Sequence, residues 1–539
     1  MKPSPRYADL LAALLILLVL GLLFRVAPWQ GDFYWSDAPR HALNGVFVKD
    51  LLAAAPFSAP QEYAMRYYAQ YPALTILFYP PLFYALSAPL YAVFGVSQAT
   101  ALFAIFLHYA ALGWGTYRLA GLWLPRTGGL LCALTVIALP EVAFWGRQVM
   151  LEIPAFAFLV WSAYAFVRYL RGAPARWLYL ACALLVLGMY TKISLAFMVP
   201  VYALMLLSRR RWALLRDRHV WGALLISAIG LVPLMVLTLK FGQANVQSVT
   251  GIADAEVSRS SLSGWLWYLR QMPGQMGWLA LLGAAIGSVG LAAAALRRRE
   301  AALVEQLAFL GAWFGVGYLF FSAIDLKEAR HSVFLLVPAV FAAFAALQRL
   351  PGRALALGLG VALAAGTLAQ TLLARPVFAV RGYAQAVDYV ARHAPKDSAV
   401  IFSGYRDGAF VFNMRTREDR RDLSVVRADK LLLRVAVRRE LGVEQKPLSE
   451  SEIRALIHAS GAHYLVVQPG FWDDLEVMRR FEAVLASDEF ERVDRVATPA
   501  NFPAHERELV IYRNKGPVAK RPEAFQIDLP IIGRKIEGK

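Results

Sequence analysis

The feature that most constrains this chain is a succession of eleven apolar runs separated by clusters of arginine. The runs cover 10–26, 99–122, 130–144, 153–169, 177–189, 195–207, 220–239, 276–296, 301–324, 332–347 and 354–373. A helix rises ~1.5 Å per residue and a bilayer core is ~30 Å thick, so about 20 apolar residues make one crossing. Several runs are shorter, and their helices are expected to extend into the flanking polar residues. No water inside a bilayer satisfies backbone N–H and C=O groups, so runs of this kind fold as helices. The expected fold is a polytopic α-helical membrane protein, in keeping with 58% hydrophobic and only 17% charged residues.

The net charge of +18 raises the question of nucleic acid, but the arginines fall between apolar runs. They cluster at Arg118/Arg126, Arg168/Arg171/Arg176, Arg209 to Arg218, Arg297 to Arg299 and Arg349/Arg353, in every second connection. The positive-inside rule and anionic lipids account for that pattern, so no nucleic-acid partner is expected. With the N-terminus inside, all five clusters are cytoplasmic. The first loop, Glu152, Lys192 and the 240–273 connection then lie outside. Lys2 and Arg6 precede the first run with no small-residue cleavage site after it, which reads as a retained anchor. Cys132 and Cys182 both lie in apolar runs and imply no disulfide framework.

One further apolar stretch, 73–95, contains Pro80-Pro81 and Pro89. Counted as a crossing it inverts every later loop, so it is expected to be an interfacial or re-entrant helix starting at Pro80-Pro81. A true span, with another run miscounted, stays open. The expected membrane module is thus 1–373, with a first outer loop over 28–72. From 374 the pattern becomes mixed and charged: helices over 383–393, 450–460 and 474–485, strands over 398–402, 463–467 and 507–512. A C-terminal extracytoplasmic α/β domain over 374–514 follows. The tail, 515–539, with three prolines and scattered lysines, reads as weakly ordered. The sequence has no GxxxxGK[ST], HExxH, GxSxG or Cys/His metal spacing.

The chemistry-bearing residues gather in the outward connections. Asp32 and Asp37 stand in Gly31-Asp-Phe-Tyr-Trp-Ser-Asp-Ala-Pro-Arg-His41. Local pattern alone makes Ser36 or Asp37 a helix cap before Pro39. Glu152, before Pro154, sits at the mouth of a run, where a carboxylate is costly unless paired or hydrated; Arg147 is the expected partner. Lys192 ends Tyr190-Thr-Lys, with snorkelling as the bland reading. In Asp325-Leu-Lys-Glu-Ala-Arg-His331, Lys327 and Glu328 read as a solvated loop.

The order of these features resembles the GT-C superfamily of polyprenyl-phosphate-sugar-dependent glycosyltransferases, especially the protein O-mannosyltransferase and lipid A aminoarabinose transferase branch and its RgtA/B/C/D-like relatives. Ser36-Asp37-Ala-Pro-Arg40-His41 resembles the acidic first-loop motif, and Phe78-Tyr79-Pro80-Pro81-Leu82-Phe83-Tyr84 the proline-rich element. Glu152-Ile-Pro154 resembles the second acidic motif, Thr191-Lys192 the lysine at a span end, and Glu328-Ala-Arg330-His331 the motif opening a late span. Three departures are plain: Asp-Ala-Pro stands where Asp-Glu is common, Glu152 where Asp is commoner, and Arg-His where the family shows Arg-Tyr.

The resemblance implies an inverting transfer of sugar from a polyprenyl-phosphate carrier to an extracytoplasmic acceptor hydroxyl, on a glycolipid, glycan or protein. The leaving phosphate departs as an anion, so one base suffices, unlike the two carboxylates of glycoside hydrolysis. Asp37 would be that base, with Glu152 orienting hydroxyls or completing a divalent-cation site with it. Lys192 and Arg330, with Arg147 and His331, would hold the donor phosphate. Arg40, His41, Tyr79 and Tyr84 would line the substrate site. No obligatory cofactor is expected. The implied location is the bacterial inner membrane, multi-pass, among membrane lipids, with the active site facing the periplasm or exterior. A transporter or flippase fits less well, because the charges sit at run ends rather than at the midplane. A receptor or scaffold acting through the outer domain stays open.

Overall fold

The computed structural model describes residues 5–29, 32–242, 257–435, 439, 442–519, 526–529 and 534–537. Among the described residues eight helices are long and apolar enough to cross a membrane: Arg6–Phe24, Gln98–Ala120, Glu152–Leu170, Arg218–Phe241, Trp278–Arg298, Ala301–Ser322, Ala329–Leu347 and Arg353–Ala374. Three shorter apolar helices, Arg126–Ala138, Arg176–Met189 and Ile193–Arg209, complete the match to the eleven runs. The protein is a multi-pass membrane protein.

Two of these helices form the centre of the bundle. The apolar windows of Glu152–Leu170 and Ala329–Leu347 are 78% and 83% buried, against 17% for Arg218–Phe241. The run expected over 130–144 is two helices, Arg126–Ala138 and Pro140–Trp145. Pro140 is the reason. It drives the residue before it out of the helical region, and Leu139 has ψ 137°.

The 73–95 stretch contains Leu82–Phe94, a helix of 13 residues and so ~20 Å long, well short of a bilayer core. It packs against Asp37–Ala54 of the first loop and Gln98–Ala120. Gly45 makes this approach feasible, because a Cβ there would stand 2.5 Å from Ser87 Oγ and 2.9 Å from the Tyr91 ring.

The C-terminal domain is a three-layer α/β unit. Its strands are β1 (Ala399–Ser403), β2 (Ser424–Arg427), β3 (Leu433–Val435), β4 (Val443–Gln445), β5 (Ala462–Val467), β6 (Phe490–Ala497) and β7 (Glu508–Asn514). The main sheet runs β2-β1-β5-β7-β6, parallel across β2, β1 and β5 and antiparallel at β7 and β6. Successive side chains on a strand face opposite sides, which divides the core in two. Ala399 and Ile401 pack with Ile453, Ile457 and Val484 on the side remote from the membrane bundle. Val400 and Phe402 pack with helices Tyr383–His393 and Asp407–Thr416, in an apolar core continuous with the bundle. Of the tail, β8 (Gln526–Leu529) and β9 (Arg534–Glu537) pair antiparallel; 520–525, 530–533 and 538–539 lie outside the described residues.

Polar links tie this domain to the first loop. Arg415, fully buried, holds Asp50 through Nη2 at 2.7 and 2.8 Å and Nε at 3.0 Å. Arg406 donates to the Tyr34 carbonyl, and Gln70 donates to the carbonyls of Arg421 and Leu423. Asp32 accepts from the N–H groups of Tyr383 and Ala384 and from the Asn413 amide. Its carboxylate therefore caps the first helix of the domain and takes no part in the cluster around Asp37. Burial pushes its pKa up to about 6, against the pull of those donors.

Candidate active site

The site lies at the end of the bundle where the first loop and the C-terminal domain meet. Asp37 opens the helix Asp37–Ala54, and Ser36 before it makes no side-chain cap. The cap reading thus fails for both residues. The Asp37 carboxylate instead faces Arg330, whose Nη1 is 3.4 Å from Oδ2, and accepts a hydrogen bond from the Tyr79 hydroxyl. Burial opposes ionisation of Asp37, but Arg330, with Arg40, outweighs it and holds the carboxyl below the usual aspartate range.

Glu152 begins a central helix and has no exposure. Lys192 Nζ donates to its Oε1 at 2.6 Å, and Arg330 Nε stands 3.8 Å from the same oxygen. Its other oxygen, Oε2, is buried with no hydrogen-bond partner among the described residues. Lys192 and Arg330 are placed alike. Each sits at a short 3₁₀ turn, Ile193–Phe197 or Ala329–Leu335, that leads into an apolar helix. Leu82 N–H bonds the Tyr190 carbonyl, which fastens the proline-rich segment to the turn bearing Lys192.

Arg330 is the hub, touching Asp37, Glu152 and Glu328. Its guanidinium also lies over Trp35 and Trp145, 5.2 and 5.7 Å from the ring centres. Those two rings stand edge to face at 5.1 Å. This aromatic bracket holds the planar cation by its faces while its edge serves the carboxylates. Glu328, expected in a solvated loop, is a partner of Arg330. Lys327, expected there too, donates to the carbonyls of Phe321, Ser322 and Ile324, closing the end of Ala301–Ser322.

His41 lies one turn beyond Asp37 and is buried. Its Nδ1 is 2.9 Å from the Tyr84 hydroxyl, and its ring meets that of Tyr79 at 4.6 Å. Burial drives its pKa down to about 4, so the imidazole is neutral at pH 7. Burial, and then the charge of Asp37, raise the Tyr79 phenol well above its usual range, leaving it a hydrogen-bond donor. His331 follows Arg330 on the same turn, half-buried.

Two expected residues go elsewhere. Arg147 does not pair with Glu152; it is fully buried and donates to the Ala143 and Arg375 carbonyls. Arg40 turns to the C-terminal domain, where its Nη2 reaches both oxygens of Asp407 at 3.0 and 2.9 Å. Arg427 reaches the same carboxylate at 2.6 Å. Burial disfavours the Asp407 charge, yet Arg40 and Arg427 together keep its pKa below the ordinary range. Asp407 and Arg427 carry no sequence signal, because 367 positions separate Arg40 from Asp407.

Among the described residues no three His, Cys, Asp or Glu side chains are grouped to hold a metal ion. Arg330 already occupies the space between Asp37 and Glu152, so this pair does not fit the divalent-cation site the sequence left open.

This bundle, with acids and cations at the mouths of its two central helices and an α/β domain over them, has an ArnT-like fold. Residues 79–237 match the family model for dolichyl-phosphate-mannose-protein mannosyltransferase. The structure is similar to that of ArnT from Cupriavidus metallidurans bound to undecaprenyl phosphate, with a TM-score of 0.63 and 14% identity over 94% of this chain and 99% of that one. It is similar also to the archaeal oligosaccharyltransferase AglB from Archaeoglobus fulgidus in complex with an inhibitory peptide and a dolichol-phosphate. That match has a TM-score of 0.52 and 12% identity over 86% of this chain and 69% of that one. No curated protein sequence matches the chain. At these identities the structural likenesses establish the fold.

Proposed function

We propose that this protein transfers a sugar from a polyprenyl-phosphate carrier to an acceptor hydroxyl by inverting displacement, at the extracytoplasmic face of a bacterial inner membrane. One observation carries the reading. Asp37, Glu152, Lys192 and Arg330, from four separate segments, converge at one end of the bundle, and a buried oxygen of Glu152 is left without a partner among the described residues. Buried polar atoms are nearly always satisfied, so an orphan at the mouth of a bundle marks where a ligand group belongs.

In this reading the acceptor oxygen attacks the anomeric carbon as Asp37 takes its proton. The bond from that carbon to the phosphate oxygen breaks, and the electron pair leaves with the phosphate. The depressed pKa of Asp37 keeps it ionised and ready to accept. Lys192 and Arg330 stabilise the charge on the departing phosphate, which exchanges with Glu328 at the guanidinium. The free Glu152 oxygen accepts a hydrogen bond from a sugar hydroxyl. Tyr79 donates toward Asp37, and neutral His41, braced on Tyr84, fixes the floor. The ArnT structure contains undecaprenyl phosphate and the AglB structure a dolichol-phosphate, which supports a lipid-linked donor here. The test is mass spectrometry of envelope lipids and glycans from cells lacking the protein. One glycosylated species is expected to disappear; an unchanged profile in cells that normally express the protein would count against transfer.

A further inference from the structure

At the opposite end of the bundle the central helix Glu152–Leu170 runs into Arg171, ~28 Å from Glu152 along its 19 residues. A cavity of about 460 Å³ opens there, lined by Trp123, Arg171, Arg209, Glu305 and Gln306 and by the first residues of helix Ala301–Ser322. Nothing in the transfer reaction uses it.

Its polar groups are arranged around negative charge. Glu305, 3% exposed at its side chain, fixes two arginines: Arg171 Nε at 2.8 Å, and Arg209. Arg171 is held further by the Leu122 carbonyl and lies over the Trp123 ring at 5.3 Å. Two cations against one carboxylate leave one positive charge, and a guanidinium has five N–H donors, most of them still available on each arginine. The start of Ala301–Ser322 adds the positive end of a 22-residue helix. Gln306, 3% exposed, lines the cavity, and its Nε2 has no hydrogen-bond partner among the described residues; nor has Trp123 Nε1. Buried donors without acceptors beside prepositioned arginines call for an oxyanion.

We propose that this cavity binds a phosphate group, that of a phospholipid headgroup in the leaflet opposite the transfer site. The spacing argues for the lipid source. A distance of ~28 Å from Glu152 is close to one hydrocarbon thickness, which sets the cavity at headgroup depth. Glu305 serves to align the two arginines, and the Gln306 amide rotates to donate to a phosphate oxygen.

The test uses the full-length protein in neutral detergent, exposed to phosphatidylglycerol, phosphatidylcholine or inorganic phosphate, with native mass spectrometry and melting temperature as readouts. Wild type is expected to retain phosphatidylglycerol over phosphatidylcholine and to melt higher with it. Arg171→Gln is expected to weaken retention about tenfold, the value of a charge-assisted contact of ~1.4 kcal/mol. Gln306→Leu, which leaves the ion pairs intact, is expected to weaken it less, and decides the matter if Arg171→Gln fails to fold. A melting shift with inorganic phosphate alone, lost in both variants, would keep the phosphate site but assign it a soluble ligand. Retention and melting shifts equal to wild type in both variants would overturn the proposal.

Discussion

Removing Arg415 tests whether the C-terminal domain holds the helix that presents Asp37. Arg415 is fully buried and makes three short contacts to Asp50 and one to Glu418 at 2.8 Å. Breaking a buried ion pair from one side costs ~3–5 kcal/mol. The lower end applies to Arg415→Met, because Asp50 keeps Lys49 at 3.3 Å, Arg421 at 3.5 Å and the Tyr67 hydroxyl at 2.9 Å. A loss of ~3 kcal/mol corresponds to roughly a hundredfold rise in the population with the domain undocked. Hydrogen–deuterium exchange should show that rise in 37–54 and 407–416 together, with the remote β6–β7 hairpin unchanged. Arg417→Met is the control. Its partners Asp388 and Asp419 are more than half exposed, and such pairs are worth at most ~1 kcal/mol. Equal exchange in the two variants would refute the claim that the Arg415–Asp50 pair secures the docking.

Gly408→Ala is expected to act on the same interface by steric means. A Cβ there would meet Pro39 Cγ at 2.9 Å and Arg40 Nη1 at 3.0 Å, a strain of ~1–3 kcal/mol that should lower the transfer rate while the membrane bundle melts as in wild type. Asp32 sets a pH dependence. Its folded pKa is about 6, above the ordinary 3.8, so the folded state holds its proton more tightly than the unfolded state. The stabilisation this gives is complete below pH ~4 and is lost as pH rises through ~6, a difference of ~3 kcal/mol. Asp32→Asn, with the Asn413 amide turned to accept, should flatten the melting temperature between pH 4 and 6; an unchanged slope would show that another group is responsible.

The helical bundle was legible because each crossing must carry its own apolar length, a signal local to the chain. The break at Leu139 was missed although Pro140 announces it, since apolar residues stand on both sides of Pro140-Glu141. In the C-terminal domain β1, β5 and β7 were found, whereas the short β2, β3 and β4, β6 with exposed charges such as Arg492 and Arg495, and helix Asp407–Thr416 were not. The helix has a mixed surface because it is buried on two sides, by its own sheet and by the first loop. Within the site, local pattern made Asp37 a helix-start residue and Glu152 a carboxylate in need of a partner, and the family resemblance singled both out. The contacts of Arg330 with Asp37 and Glu152, the Trp35–Trp145 pair and the Arg40–Asp407 pair are made across 110 to 367 positions, and no local pattern encodes pairings of that span. Arg147 misled for the opposite reason: it is near Glu152 in sequence but turns to the carbonyls of Ala143 and Arg375.

The decisive measurement is the rate of sugar transfer by purified wild-type and Asp37→Asn protein, with polyprenyl-phosphate sugars extracted from the host membrane as donor. The substitution keeps the shape of the side chain and its contact with Tyr79 while removing the base. A fall of ~10²- to 10⁴-fold is expected in protein that stays folded at the assay temperature, Arg330 keeping Glu152 and Glu328 as partners. Transfer at the wild-type rate by a folded Asp37→Asn protein would contradict the assignment of Asp37 as the group that takes the acceptor's proton.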